Sequence, residues 1–179
     1  MRGPVERFFF MKKSSVRDLV YIALYAALFV VLDYVTNALN LFRMPNGGSL
    51  SFATVALLLA SYHLGVKKGL LVCLVAIVLM FAIGSITYYG IASLLLDYVI
   101  AYCAYGLASA FKNIKWFYPG VIVTNLIRLA SSTLAGMLVW ETDLWGSLVY
   151  NGGYIIPTMI VDLILVPLLY NMLKPVLNK

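Results

Sequence analysis

Six apolar runs, separated by short connections that gather most of the positive charge, constrain this chain more than any other feature. The runs are Leu19–Leu39, Phe52–Leu64, Gly69–Tyr88, Ile91–Phe111, Tyr118–Trp140 and Ser147–Met172. Most approach the roughly 20 residues that a helix needs to cross a bilayer. In lipid an open chain satisfies its backbone groups only as helices, so every run is expected to be helical. Phe52–Leu64 is short for a crossing, so it is expected to tilt or to draw in residues of the preceding connection. Composition agrees. Of 179 residues, 63% are hydrophobic and 11% charged, against about 45–50% and about 25% in soluble domains. A water-soluble enzyme, a disordered chain, a nucleic-acid module and a disulfide scaffold are excluded. Cys73 and Cys103 sit in apolar runs and read as small buried hydrophobes.

The net charge of +6 comes from cations that cluster between the runs. Arg2, Arg7, Lys12, Lys13 and Arg17 precede the first run. Lys67 and Lys68 share one connection, Lys112 and Lys115 another, and Lys174 and Lys179 close the chain. Six crossings with both termini in the cytoplasm put all of these on the cytoplasmic side, as the positive-inside bias requires. Arg43, Glu141 and Asp143 then fall in outer connections, and Arg128 lies inside a run. The expected protein is an all-α integral membrane bundle of six transmembrane helices. Residues 1–18 form a cytoplasmic segment, 19–172 the membrane domain and 173–179 a cytoplasmic tail. The Phe8-Phe9-Phe10 patch is too short for a signal-peptide core. Met11 reads as an alternative start, which makes residues 1–10 an extension.

Chemistry-bearing motifs are few. Gly47-Gly48 lacks the Lys-Ser of a phosphate loop. His63 has no partner at metal-ligand spacing and reads as an interfacial residue. No nucleophile has a base at motif spacing, so the chain is not expected to be an enzyme. No cofactor, metal ion or nucleic-acid partner is expected.

The polar residues inside the runs are more informative, because ionisable groups there are costly and face a cavity or a partner helix. Asp33 lies near the outer end of the first run, where solvation suffices to explain it. Asp97 lies about two turns below the outer end of the fourth. Arg128 sits near mid-depth in the fifth, and Asp162 in the inner half of the sixth. Arg128 has two readings: a helix lock with Asp97 or Asp162, or a group in a ligand pocket. Asp97 is the strongest ligand candidate, because Tyr88, Tyr89, Tyr98, Trp140, Trp145, Tyr150 and Tyr154 gather at its level. An interfacial aromatic belt accounts for some of these. It does not account for Tyr150-Asn151-Gly152-Gly153-Tyr154 followed by Pro157. That run offers an amide, hydroxyls and two glycines for close approach at the start of the sixth helix. Aromatic faces beside a carboxylate suit a flat, cationic heteroaromatic ligand. Ala23 and Ala27, with Ala26 between, have the small-xxx-small spacing that lets another helix approach closely.

In order and spacing these residues resemble the S components of energy-coupling factor (ECF) vitamin transporters, most nearly the thiamine-specific ThiT type. Four stretches carry the likeness: Met44-Pro45-Asn46-Gly47-Gly48-Ser49-Leu50-Ser51; Leu95-Leu96-Asp97-Tyr98; Arg128, Gly136 and Trp140; and Tyr150 to Pro157. The resemblance implies six helices in the plasma membrane of a bacterium and a substrate pocket near the outer face. It implies a transmembrane coupling subunit (EcfT), touched through Ala23 and Ala27, and two cytoplasmic ATPases. The family pocket positions that match here are Asp97, Tyr98, Arg128, Gly136, Trp140 and Asn151, and Ser132, Trp145 and Tyr154 complete the expected substrate-binding set. Ser132 stands where the ThiT pattern has a His. Gly146 stands where it has a Tyr, with Trp145 adjacent, and Arg43 stands near an aromatic position, with Phe42 adjacent. The implied ligand is thiamine or a related heteroaromatic vitamin or precursor, a pyridoxine-like or hydroxymethylpyrimidine-like molecule included. A non-transport structural membrane protein is the competing class.

Charge placement carries the first prediction. Single cysteines introduced at 112–115 are expected to resist membrane-impermeant thiol reagents in intact cells, whereas cysteines at 141–143 react. The reverse pattern would overturn the topology.

Overall fold

The computed structural model describes residues 16–40, 43–45 and 48–177, and these form six helices. They are α1 (Val16–Ala38), α2 (Thr54–Leu64), α3 (Val66–Ala82), α4 (Ile91–Ala110), α5 (Pro119–Val139) and α6 (Leu144–Leu177). Arg2, Arg7, Lys12, Lys13 and Lys179, the Phe8–Phe10 patch, Phe42, Asn46 and Gly47 lie outside the described residues. Four helices (α1, α4, α5 and α6) are each long and apolar enough to cross a membrane. Leu24, Val31, Val78, Leu138, Ile160 and Ile164 are among the large apolar side chains left on the outside, as a lipid solvent permits.

The short run finds its explanation in packing. At 1.5 Å per residue the 11 residues of α2 span only about 16 Å. From Thr54 to Tyr62 every one of its residues is buried. It touches α1, α3, α4 and α6, so it is the central post of the bundle and meets protein on all sides. A helix apolar all round is a buried helix. A single residue joins it to α3: Gly65, at φ 80°, a left-handed conformation that glycine adopts without a Cβ clash.

The two ends of the bundle are distinct. Lys68 Nζ lies 2.7 Å from Asp18 Oδ1, and His63 Nδ1 lies 3.1 Å from the Tyr25 hydroxyl. Tyr170 in α6 donates its hydroxyl to the Tyr62 carbonyl at 3.1 Å. The start of α1, the α2–α3 turn and the C-terminal half of α6 therefore share one end. The described residues of the 39–53 connection, with the connections at 83–90 and 140–143, share the other, which is the pocket end.

Three expectations are corrected. The third helix stops at Ala82, not Tyr88, so residues 83–90 form a connection, tied to α4 by the Thr87 amide donating to the Tyr98 hydroxyl at 3.1 Å. The fourth is not uniformly α-helical, because Leu94–Ile100 winds as a π-helix. Its wider turn turns the Leu96 carbonyl toward α5, where Ser131 Oγ donates to it at 2.6 Å. Such segments are rare and gather at functional sites. The sixth begins at Leu144, so Tyr150–Tyr154 lies well inside it and does not open it.

Close backbone approach holds α3 against α4. A Cβ at Gly106 would sit 2.7 Å from the Leu70 amide nitrogen and 2.8 Å from its Cα, and main chain cannot step aside. Gly106→Ala is expected to destabilise the protein by about 1–3 kcal/mol through overpacking. A methyl at Gly152 meets only the Ile156 side chain, at 3.5 Å, so Gly152→Ala should be neutral or mildly stabilising. Thermal unfolding of both variants in one detergent checks the contrast.

Candidate functional site

At the pocket end the helices splay around a cavity of about 730 Å³. Its lining includes Arg128 of α5, a charged side chain only 6% exposed. The sequence offered Asp97 or Asp162 as its ion-pair partner. Among the described residues, neither carboxylate lies within ion-pair distance. The guanidinium instead packs against ring faces, 5.2 Å from the centre of Tyr102 and 5.9 Å from those of Tyr105 and Tyr154. Such cation–π contacts strengthen when water is excluded. Its Nη1 donates to the Tyr105 hydroxyl at 3.2 Å. That hydroxyl donates to Asn125 Oδ1 at 2.8 Å, and Asn125 Nδ2 donates to Asp162 Oδ2 at 3.1 Å. Thr54 Oγ1 satisfies the other Asp162 oxygen at 2.8 Å. Asp162 is thus a fully buried structural acid outside the cavity, binding α2, α5 and α6 together.

Two of the carboxylates that line the cavity stand on helices α1 and α4. Asp97 is half-buried on the π-helical stretch of α4, and Ser93 Oγ donates to it at 3.3 Å. Asp33 on α1 was read as merely solvated. It is 8% exposed and lines the cavity, with Asn37 Nδ2 donating to its Oδ2 at 3.2 Å. The i, i+4 pair Asp33 and Asn37 was the available signal: two polar groups on one face of an otherwise apolar helix. Arg43, Glu141 and Asp143 also contribute to the lining. Asp143 is partly committed, since its Oδ2 accepts the Gly146 amide at 3.2 Å and caps α6. Four acids thus line the space against two guanidinium groups, so the cavity has a surplus of negative charge that favours a cation.

The remaining expected residues divide. Tyr98, Ser132, Gly136, Trp140, Asn151 and Tyr154 all line the cavity. Trp140 presents its ring edge-on to Tyr89, with centroids 4.6 Å apart, at the wall. Gly136 is required by packing: a Cβ there would collide with Ser147 Oγ of α6. Asn151 was expected to read a ligand edge, yet its nitrogen donates to the Ser132 carbonyl at 3.2 Å and the Ser147 carbonyl at 2.9 Å. Its oxygen accepts from the Tyr154 hydroxyl at 2.7 Å. It stitches α5 to α6 and orients Tyr154. Trp145 is the exception, being 71% exposed and not among the residues that line the cavity. Gly152 and Gly153 face Ile156 and Met44, not the cavity. Tyr102 also lines the cavity, and inside an apolar run that holds Tyr98 and Tyr105 as well it looks like core.

With this geometry in view, comparison with known proteins is decisive. Residues 19–178 match the family described as Thiamine transporter protein (Thia_YuaJ). The chain belongs to that family. It is a family of transporters, not enzymes, and the chain is a multi-pass plasma-membrane protein. The curated thiamine transporter ThiT of Bacillus subtilis (strain 168) is 31% identical, the match covering 88% of this chain and 92% of that one. The solved structure of ThiT from Listeria monocytogenes superposes with a TM-score of 0.74 over 90% of this chain and 97% of that chain. At 18% identity it speaks for the fold alone.

Trp140 and Trp145 provide a test of placement. Trp140→Phe is expected to remove most of the ligand-induced change in tryptophan fluorescence, and Trp145→Phe to retain it. Titration of both variants checks it; loss of the signal only in Trp145→Phe would reverse the assignment.

Proposed function

We propose that this protein captures thiamine in the pocket-end cavity and serves as the S component of an ECF-type, ATP-driven importer. The observation that carries the reading is the pairing of opposite demands in one cavity. Asp33 and Asp97 supply negative charge, Tyr102, Trp140 and Tyr154 supply ring faces, and Arg128 supplies hydrogen-bond donors not used by any carboxylate. A flat molecule with a positive ring, hydrogen-bond acceptors and a donor amine meets all three demands. Thiamine has that chemistry: a thiazolium cation, an aminopyrimidine and a hydroxyl. The family membership supports the same ligand.

In this reading the pocket end faces outward, and both termini, the first turn of α3 with Lys67 and Lys68, and the 111–118 connection face the cytoplasm, as the cation clusters require. Ala23 and Ala27 are exposed on α1, whereas Ala26 is buried in the bundle. They leave a shallow strip on which helices of the coupling subunit (EcfT) pack, and through it two cytoplasmic ATPases drive release. Ala27→Trp should fill that strip, leaving thiamine affinity intact and abolishing uptake by the assembled complex. Equal loss of both would remove Ala27 from the interface.

Asp97 tests the pocket itself. A hydrogen bond to a charged group is worth about 1.5–3 kcal/mol, so Asp97→Asn should weaken thiamine binding roughly 10- to 150-fold. Because no guanidinium is paired with Asp97, the substitution orphans no charge, and the ligand-free melting temperature should hold. Unchanged affinity would take Asp97 out of the site. Wild-type protein that binds a pyridoxine-like or hydroxymethylpyrimidine-like molecule but not thiamine would reassign the substrate to the pocket that Ser132 and Gly146 leave smaller in hydrogen-bonding groups.

A further inference from the structure

Arg128 raises a question that the cavity's surplus of negative charge does not answer, namely what holds and balances the guanidinium locally. A cation sits in the wall of a pocket proposed for a cationic ligand, and no acid in that pocket pairs with it. The chain of hydrogen bonds behind it offers the answer. A guanidinium only donates and a carboxylate only accepts, so a chain between them has one possible direction. Tyr105 accepts from Arg128 and donates its single hydroxyl hydrogen to Asn125 Oδ1; Asn125 Nδ2 in turn donates to Asp162. Reversing the Asn125 amide would set its oxygen against the Asp162 carboxylate, so only this orientation satisfies every member. Tyr105, Asn125 and Asp162 are at most 1% exposed. Water therefore neither screens nor interrupts the chain, and hydrogen bonds in such surroundings polarise one another.

We propose that Asp162, which does not line the cavity, is the remote counter-charge and positioning residue for Arg128, acting through the one-way chain of Tyr105 and Asn125. Two consequences follow. Asp162 balances the guanidinium charge, which lets a cation share the cavity with Arg128. The bond to Tyr105 is the directional hold on a guanidinium otherwise contacted by ring faces, so it sets which donors face the ligand. The inference uses thiamine as its probe and in that respect rests on the proposed function.

The test is a pair of double-mutant cycles on the full chain in detergent, reading ligand-free melting temperature and thiamine dissociation constant. Tyr105→Phe removes one oxygen from the chain and keeps the ring beneath Arg128. It is expected to weaken thiamine binding about tenfold or more, the lower range for a lost hydrogen bond to a charged group. Asp162→Asn should act in the same direction. A purely structural role would give Asp162→Asn the same effect with or without Arg128. The remote counter-charge instead requires that, in an Arg128→Met background, Asp162→Asn weakens binding no further. It also requires that the double variant melt higher than the sum of the two single losses implies. Wild-type affinity in Tyr105→Phe, or additive losses in the cycle, would overturn the proposal. Where Arg128→Met binds too weakly to titrate, or the wild type does not bind thiamine at all, the melting-temperature cycle decides alone. In the latter case the functional reading fails independently of the chain. Should Asp162→Asn not fold, Tyr105→Phe takes its place in the same cycle.

Discussion

A buried cation in a low-dielectric bundle must be neutralised, solvated or surrounded by electron-rich faces, and Arg128 organises much of this protein because it needs all the help it can get. Charge at membrane depth costs several kcal/mol even on the most permissive scales. The protein meets that cost with the faces of Tyr102, Tyr105 and Tyr154 and with a hydrogen bond from Arg128 to Tyr105. The same hydrogen bond begins a chain that ends on Asp162. There the carboxylate also accepts from Thr54, at the start of the buried helix α2. One arginine therefore ties the wall of the cavity to α4, α5, α6 and the central post.

The cavity takes its character from what this arrangement leaves free. With Arg128 served from behind, Asp33 and Asp97 are not consumed by ion pairing to it, and their charge is available to a ligand. The π-helical stretch in α4 helps, because its wide turn places Asp97 and Tyr98 on the cavity wall while Ser131 holds the Leu96 carbonyl. Asn151 contributes indirectly by binding α5 to α6 and fixing Tyr154 over Arg128. Much of the wall is thus made by residues that hold other residues in place, which is how a binding site stays preorganised.

Several features were legible in the chain. Runs of apolar residues near bilayer length, with nearly all the cations between them and Arg128 the exception, leave no soluble alternative, so helices and membrane follow from the solvation of backbone groups. Asp97, Tyr98, Arg128, Ser132, Gly136, Trp140, Asn151 and Tyr154 were recognisable by type, order and spacing, and all line one cavity. Asp33 was legible only as a charge near a helix end, because its burial depends on the turn of α1 relative to α3 and α4. Trp145 looked equivalent to Trp140, and only the geometry of the α5–α6 connection turns one ring toward the cavity and the other away.

What the sequence determined by itself is the class of solvent, the helical content, the family and part of the side-chain inventory of the cavity wall. These depend on composition and local spacing, which one chain displays in full. What only the tertiary structure decided is pairing. Arg128 had two candidate acids in the sequence, and in space it meets neither directly, because hydrogen-bonding partners are chosen by the relative rotation and depth of four helices. The burial of α2 on every side, the π-helical turn that offers Asp97, and the chain from Arg128 to Asp162 all arise from that packing. Long-range contacts between helices far apart in sequence leave no periodic trace in any one of them.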